Sequence, residues 1–337
     1  MNLHEKYIIR CIEIAKNGIR NAMPNPSVGA VIVFEDTIIG EGFTSKYGGN
    51  HAEVNAINSV KNKALLSKST IYVSLEPCSH FGKTPPCSNL IIENKIPNIV
   101  IGCIDSNSLV SGNGVKKLID AGLNITVGVL EKECRTSNIR FFTFHEKKRP
   151  YIILKWAESQ DGFIAPTVRE EQKPVWITNE ISRQMVHKWR TEEQAILVGT
   201  QTVIDDNPKL TARDWAGKNP TRVVLDKNSR IPKTSFVFDN ESDSIFLTKT
   251  EIDFDNNLAK NICDFLYKKN IQSIIIEGGQ QTIQTFIDAN LWDEARVFKG
   301  NIFFKNGIKA PVLNKKWTKK QTFLNDELFT YTNEDNL

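Results

Sequence analysis

Apolar residues recur along this chain with two periods, one helical and one strictly alternating. Together they outline a series of helices and strands. Residues 3–20 set Ile8, Ile9, Ile12, Ala15 and Ile19 on one helical face, so an amphipathic helix opens the fold. Residues 28–34 and 37–42 read as a hairpin turning at Glu35-Asp36. Residues 51–60 read as a helix with His51 and Glu53 in its first turn, and 69–75 as a strand. Helices follow at 87–94 and 115–121, strands at 99–103 and 125–129, and one helix from 131 to about 144. The charged run His145-Glu146-Lys147-Lys148-Arg149 before Pro150 marks a domain boundary, giving units 1–146 and 150–337.

The second half repeats the alternation. Strands are predicted at 151–157, 195–199, 222–225, 244–247 and 273–276, and helices at 178–190, 258–268 and 282–289. Asp161-Gly162 is a tight turn and residues 205–208 a loop. Closing strands follow Trp292, with Phe298, Phe303, Phe304 and Trp317 expected in the core. Strands alternating with helices predict α/β sheets with helices on both faces.

Length, charge and cysteine use narrow the classes. A chain of 337 residues suits two domains. A net charge of +4 with no dense basic stripe points away from nucleic acid. The start, Met1 to Lys6, does not read as a signal peptide, and no apolar run is long enough to span a membrane. Six cysteines without a regular framework suggest a reducing compartment, hence the cytoplasm.

The chemistry concentrates between residues 51 and 87. His51-Ala52-Glu53 is followed by Pro77-Cys78 and then Cys87. One imidazole and two thiolates can hold zinc and leave a fourth position for water. Glu53 can shuttle protons without binding metal, as in the zinc nucleobase deaminases. Eight residues separate the two cysteines, and His80 and Lys83 in that loop are candidates to read a polar substrate. Asn25, between two prolines, either projects its amide toward a base or serves the turn alone. Ser111-Gly112-Asn113-Gly114 lacks the third glycine of a dinucleotide fingerprint. Glu277-Gly278-Gly279 at a strand end suits a phosphate, or is a plain turn.

Two readings compete with a catalytic pair of domains: a nucleoside or tRNA deaminase with an unrelated partner domain, and a zinc-stabilised binding module without chemistry. The first favours a denser basic surface. The second needs a fourth protein ligand and no Glu53.

The chain resembles the bifunctional riboflavin-biosynthesis deaminase–reductase family over nearly its whole length. The similarity rests on Pro24-Asn25-Pro26-Ser27-Val28-Gly29, His51-Ala52-Glu53-Val54, and Leu75-Glu76-Pro77-Cys78-Ser79-His80 through Thr84-Pro85-Pro86-Cys87. In the second half it rests on Leu154-Lys155, Asp161-Gly162, Trp176-Ile177-Thr178, Ile196-Leu197-Val198-Gly199, Asp206-Asn207-Pro208 with Leu210-Thr211, and Glu277-Gly278-Gly279. The resemblance implies a cytidine-deaminase-like α/β/α domain followed by a dihydrofolate-reductase-like α/β domain. It implies one zinc per chain and NADPH, a small phosphorylated pyrimidine as substrate, and a homo-oligomer acting on neither nucleic acid nor membrane. A pyrimidine bearing a ribosylamino 5-phosphate first loses an exocyclic amine, and its ribosyl group is then reduced to ribityl.

By the same resemblance, zinc sits on His51, Cys78 and Cys87, with Glu53 catalytic. Asn25, His80, Lys83, Asp105 and Asn107 match deaminase-pocket positions. Ala157, Trp176, Thr202 and Asp206 match cofactor positions. So do Gly279, Gln280, Gln281, Thr282, Ile283, Gln284 and Thr285. Lys155, Pro174, Arg190, Leu210, Arg213 and Glu277 match reductase-substrate positions, the two arginines gripping the ribose phosphate. Lys227 is expected near the extra phosphate of NADPH. The chain departs from the family at Thr44, where a pocket His is usual, and at Ser106 and Ser108, where prolines are usual. It also departs at Asn113, in place of an arginine, and at Pro174, within a lengthened segment 166–174.

Overall fold

A computed structural model describes residues 1–81, 85–106, 112–167, 172 and 175–336. The chain divides into two units, Met1–Lys147 and Lys148–Leu337, each with its own apolar core. In the first unit the opening apolar period forms α1 (Leu3–Ala15). Asn2 caps it reciprocally with Glu5: Glu5 N–H donates to Asn2 Oδ1 at 2.9 Å, and Asn2 N–H to Glu5 Oε2 at 2.8 Å. The helix does not run on to residue 20 as the periodicity predicted. It tightens into a 3-10 turn and restarts as α2 (Ile19–Ala22). Gly18 shows why. A Cβ there would lie 2.6 Å from Ser27 Oγ and 2.8 Å from the Thr44 carbonyl oxygen, so the chain crosses its neighbours too closely for a side chain.

β1 (Gly29–Phe34) and β2 (Thr37–Phe43) pair antiparallel, with Glu35 and Asp36 both at positive φ, as a twisted two-residue hairpin turn requires. Next come α3 (Ala52–Ser59), β3 (Thr70–Leu75), α4 (Cys87–Glu93), β4 (Asn98–Cys103), α5 (Asn113–Asp120) and β5 (Asn124–Val127). The sheet order is β2-β1-β3-β4-β5, parallel from β3 onward. Consecutive residues of β3 and β4 are buried, so both faces of the sheet are covered. α1 packs against the sheet and α6 (Glu131–Ser137), while α3, α4 and α5 form a second contiguous group.

The single helix expected from 131 to 144 is two, because α7 (Ile139–Lys147) starts afresh after Asn138. The buried Asn138 amide is committed elsewhere. Its Oδ1 accepts from Ser27 N–H at 2.8 Å, and its Nδ2 donates to the Ser27 carbonyl at 3.0 Å. Both main-chain groups of Ser27 are satisfied by one side chain, and the helix breaks to deliver it.

The second unit runs β6 (Tyr151–Glu158), β7 (Phe163–Pro166), α8 (Glu180–Glu192), β8 (Ala195–Gly199), α9 (Thr200–Asp206), β9 (Thr221–Leu225), β10 (Ser244–Leu247), α10 (Leu258–Lys268), β11 (Ser273–Gly278), α11 (Gln280–Asp288) and β12 (Glu294–Lys299). It closes with β13 (Gly307–Lys309), β14 (Lys319–Phe323) and β15 (Asp326–Thr332). The eight-stranded sheet has the order β10-β9-β8-β11-β6-β12-β15-β14. It is parallel as far as β12 and antiparallel at β15 and β14. Residues 205–206 end α9 rather than forming a loop. Of the late aromatics only Phe298 is fully buried; Phe303 and Trp317 are 67 % and 52 % exposed, which corrects the expected core placement. Among the described residues no helix is long and apolar enough to cross a membrane.

Candidate active sites

The strand β3 and the starts of two helices build the first site. His51 is the N-cap of α3, in extended conformation, one residue earlier than expected. Cys78 lies just beyond β3, and Cys87 is the first residue of α4. The Cys87 N–H donates to Cys78 Sγ at 3.3 Å, and the Ser88 N–H to the Cys78 carbonyl at 3.1 Å, which pins the two ligand segments together. His51 Nδ1 stands 3.5 Å from Cys78 Sγ and 3.4 Å from Cys87 Sγ. A tetrahedral zinc with ordinary Zn–S and Zn–N bonds sets nitrogen and sulfur about 3.5 Å apart. The donor set therefore fits zinc. No fourth His, Cys, Asp or Glu joins the cluster among the described residues, so one position remains for water.

The hydrogen bond with Cys87 holds Cys78 well below an ordinary thiol, with His51 adding to the effect, while Cys87 is pushed up. Glu53, 3 % exposed, follows in the first turn of α3. Burial, with the charge of Cys78 added, pushes its carboxyl up to about 7. A divalent cation on the cluster pulls that value back down.

The second site is a cavity of about 1020 Å³ at the ends of β6, β8 and β11. In its wall Arg190 from α8 forks onto Glu277 at the end of β11: Nε donates to Oε1 at 3.2 Å and Nη2 to Oε2 at 2.7 Å. Arg190 Nη1 also donates to the Thr211 carbonyl at 3.0 Å. Burial works against the Glu277 charge, but Arg190 and Lys155 outweigh it and hold the carboxyl at about 2. Burial keeps Lys155 below the ordinary lysine value; Glu277 opposes this and Arg190 reinforces it. Gly278, at φ +147°, occupies backbone space that side chains avoid, and Gly279 leads directly into the N-terminus of α11. A Cβ on Gly279 would lie 3.3 Å from Thr202 Oγ1. This open backbone at a helix start fits the phosphates of a dinucleotide, and the volume suits cofactor and substrate together.

Known proteins combine these two sites. Residues 1–103 match the cytidine and deoxycytidylate deaminase zinc-binding region, and residues 150–306 the RibD C-terminal domain. The riboflavin biosynthesis protein RibD of Aquifex aeolicus is 39% identical, over 88% of this chain and 86% of its own. The chain belongs to the RibD family. A solved diaminohydroxyphosphoribosylaminopyrimidine deaminase/5-amino-6-(5-phosphoribosylamino)uracil reductase of Thermotoga maritima is 36% identical, with a TM-score of 0.88 over 97% of this chain and 98% of that one. A RibD structure from Acinetobacter baumannii has a TM-score of 0.87 at 29% identity, covering 98% of both chains. The protein is thus a bifunctional enzyme of riboflavin biosynthesis, a deaminase and a reductase acting on small molecules. It uses zinc and NADPH, and pairs a cytidine-deaminase-like fold with a RibD reductase fold.

Against that RibD frame the expected site residues divide clearly. His51, Glu53, Cys78 and Cys87 come together. Asn25 is half-buried in the turn after α2, and Asp105 is buried with its N–H on Glu76. His80 is exposed; Lys83, Asn107, Ser108 and Pro174 lie outside the described residues. Thr44 is buried, and its hydroxyl accepts from the Val28 N–H at 2.9 Å. It serves the backbone.

In the cavity, Lys155, Ala157, Trp176, Arg190, Thr202 and Asp206 all line the wall, as do Leu210, Arg213, Lys227 and Glu277. Of residues 279–285 only Gln284 does not; its amide accepts from the Val312 N–H at 2.8 Å. Lys227 pairs with Asp255 at 2.5 Å. Glu277 and the Thr211 carbonyl engage three of the five N–H groups of Arg190, which leaves two for a ligand. Arg213 is exposed with no ion-pair partner among the described residues, so its fork is available.

Glu76 belongs to the Leu75–His80 motif, and its role is visible only in the fold. Its buried carboxylate accepts from the N–H groups of Asp105, Gly112, Gly114 and Val115 at 2.9–3.3 Å, tying the expected pocket segment to the residue two before Cys78. The only signal was a Glu between an apolar strand and Pro77.

Proposed function

We propose that the first unit, residues 1–146, deaminates 2,5-diamino-6-(5-phosphoribosylamino)pyrimidin-4(3H)-one. The second, residues 150–337, reduces the resulting 5-amino-6-(5-phosphoribosylamino)uracil to its ribityl form, in the cytoplasm. The observation that carries this reading is that one chain holds both a three-ligand cluster beside a buried carboxylate and a cofactor-sized cavity lined by Lys155, Glu277 and Arg190. Zinc on His51, Cys78 and Cys87 supplies an activated water when bound. Glu53 takes a proton from the attacking water and returns it to the departing amine, so water enters and ammonia leaves. Asn25 and Asp105 orient the pyrimidine. In the second unit NADPH would supply, when bound, the hydride for C1 of the sugar, whose ring oxygen gains a proton as the ring opens. The Gly278-Gly279 turn and α11 receive cofactor phosphate, and Arg213 receives the substrate phosphate.

The purified protein, given the phosphorylated diaminopyrimidine, is expected to release ammonia without NADPH and to oxidise NADPH once deamination has occurred. Finding only one of the two activities would overturn the paired assignment. Elemental analysis is expected to find one zinc per chain. Stripping it with a chelator should remove ammonia release yet leave reduction of the deaminated intermediate intact; a reductase that stops with the metal would contradict separate sites.

Arg213 gives a sharper test. A lysine keeps the charge but loses the two-pronged grip. Arg213→Lys is expected to weaken binding of the reductase substrate by about 1.5–3 kcal/mol, roughly tenfold to over a hundredfold. NADPH affinity and ammonia release should hold. An equal fall in NADPH affinity would move Arg213 to the cofactor site.

A further inference from the structure

The segment that carries Arg213 is braced by the last turns of α8. Arg190 Nη1 donates to the Thr211 carbonyl at 3.0 Å, and Lys188 Nζ stands 5.7 Å from the centre of the Trp215 ring. Gly217 packs so closely on Thr191 that a Cβ would lie 2.6 Å from Thr191 Cβ. The fourth brace is His187, whose Nε2 is 3.1 Å from Asp214 Oδ2.

The chemistry of this contact differs from that of the others. His187 is 3 % exposed, and its Nδ1 is buried with no partner among the described residues. The ring's close polar contact is the one at 3.1 Å, between Nε2 and the carboxylate of the residue next to Arg213. A buried ring nitrogen without a partner costs stability, so packing alone does not account for an imidazole here. The charged groups around the ring are Arg190 on its own helix, Arg213 and Asp214 on the braced segment, and Glu277 on β11. Burial, then the two arginines, keep it neutral, with a pKa down at about 4. A neutral ring can carry its proton on Nε2, the nitrogen that faces Asp214 Oδ2.

Asp214 creates the need for such a partner. Its carboxylate is adjacent in sequence to the arginine that awaits the phosphate. Left loose, it can neutralise Arg213 and repel an incoming phosphate. We propose that His187 is a positioning residue of the reductase site: it holds the Asp214 carboxylate away from Arg213, so that Arg213 is free for the substrate's phosphomonoester. This rests on the reading of Arg213 as the phosphate residue. His187 also lines the cavity wall, and its part in phosphate binding runs through Asp214.

The test compares KM for the phosphorylated reductase substrate with KM for its dephosphorylated counterpart, with NADPH affinity as a check that the second unit is folded. His187→Leu is expected to raise KM for the phosphorylated compound by about tenfold, with kcat and the dephosphorylated KM little changed. Asp214→Asn in the same chain should restore the phosphate preference, because the competing carboxylate is gone. His187→Gln, whose amide can still donate to Asp214, should keep the preference unaided, and it serves if the leucine variant fails to fold. A purely structural role predicts loss in His187→Leu that Asp214→Asn does not recover, and that outcome overturns the proposal, as does an unchanged preference in His187→Leu. Arg213→Ala separates the two ideas. If it leaves the phosphate preference intact, the phosphate reading itself fails. If it removes the preference while His187→Leu does not, only the role of His187 fails.

Discussion

Replacing Glu53 by glutamine is expected to lower ammonia release by roughly 10²–10⁴-fold, the range general acid–base catalysis supplies, and to leave zinc in place. The side chain is almost fully buried in the first turn of α3, two residues after the His51 ligand. Glutamine keeps that shape and its hydrogen-bonding reach, but it cannot carry a proton between water and amine. Metal content should hold, because the cluster is His51, Cys78 and Cys87 without Glu53. The variant should also reduce the deaminated intermediate with NADPH at near-normal rate, since the reductase cavity is built from residues 155–308. Normal ammonia release would remove Glu53 from the chemistry. Loss of both activities from a folded, zinc-loaded variant would mean that the two reactions share one composite site.

Glu277→Ala carries the second large effect. Glu277 and Arg190 have side chains only 9 % and 11 % exposed, and Lys155 faces the same carboxylate. Removing the carboxylate strands two cations in the cavity wall. Breaking a buried pair from one side costs about 3–5 kcal/mol, so the second unit should unfold at distinctly lower denaturant, with reduction lost. The pH dependence has a definite sign. Glu277 is held at about 2 when folded, against an ordinary 4.5. The folded chain thus binds fewer protons at this position than the unfolded one. Its contribution is fully present above about pH 5 and fades as pH falls toward 2. Unfolding of the parent and the variant should therefore differ most at neutral pH and converge in acid. A gap as wide at pH 2.5 as at pH 7 would show that the carboxylate's charge is not what stabilises the unit.

Arg190 also shows what a sequence can convey and what it cannot. The zinc cluster was legible because its three ligands stand at short, fixed offsets, delivered by one strand end and two helix starts. The order of helices and strands was legible because core-facing positions repeat with the period of each element. Arg190 was recognisable as a site residue, but not its partner, which lies 87 positions away on another element. A guanidinium displays its donors in the sequence; which acceptor takes them is a tertiary fact. The same holds for Gln284, whose helical position matched the cofactor segment while its amide bonds Val312. The break at Gly18 arises from chain crossings, and such close approaches have no period to read. Exposed Phe303 and Trp317 escaped because aromatic residues bury area wherever they can, so their presence alone does not say which side they face.

The Asn138 amide grips the peptide groups of Ser27, not the Ser27 side chain. A substitution at 27 by anything but proline leaves those two peptide groups in place, whereas almost any substitution at 138 removes both hydrogen bonds. The contact therefore constrains evolution from one end only. Paired changes between sequences, the usual statistical trace of two touching residues, have nothing to record here. A contact 111 residues apart in sequence, which joins the start of β1 to the α6–α7 junction, would pass unseen in such an analysis.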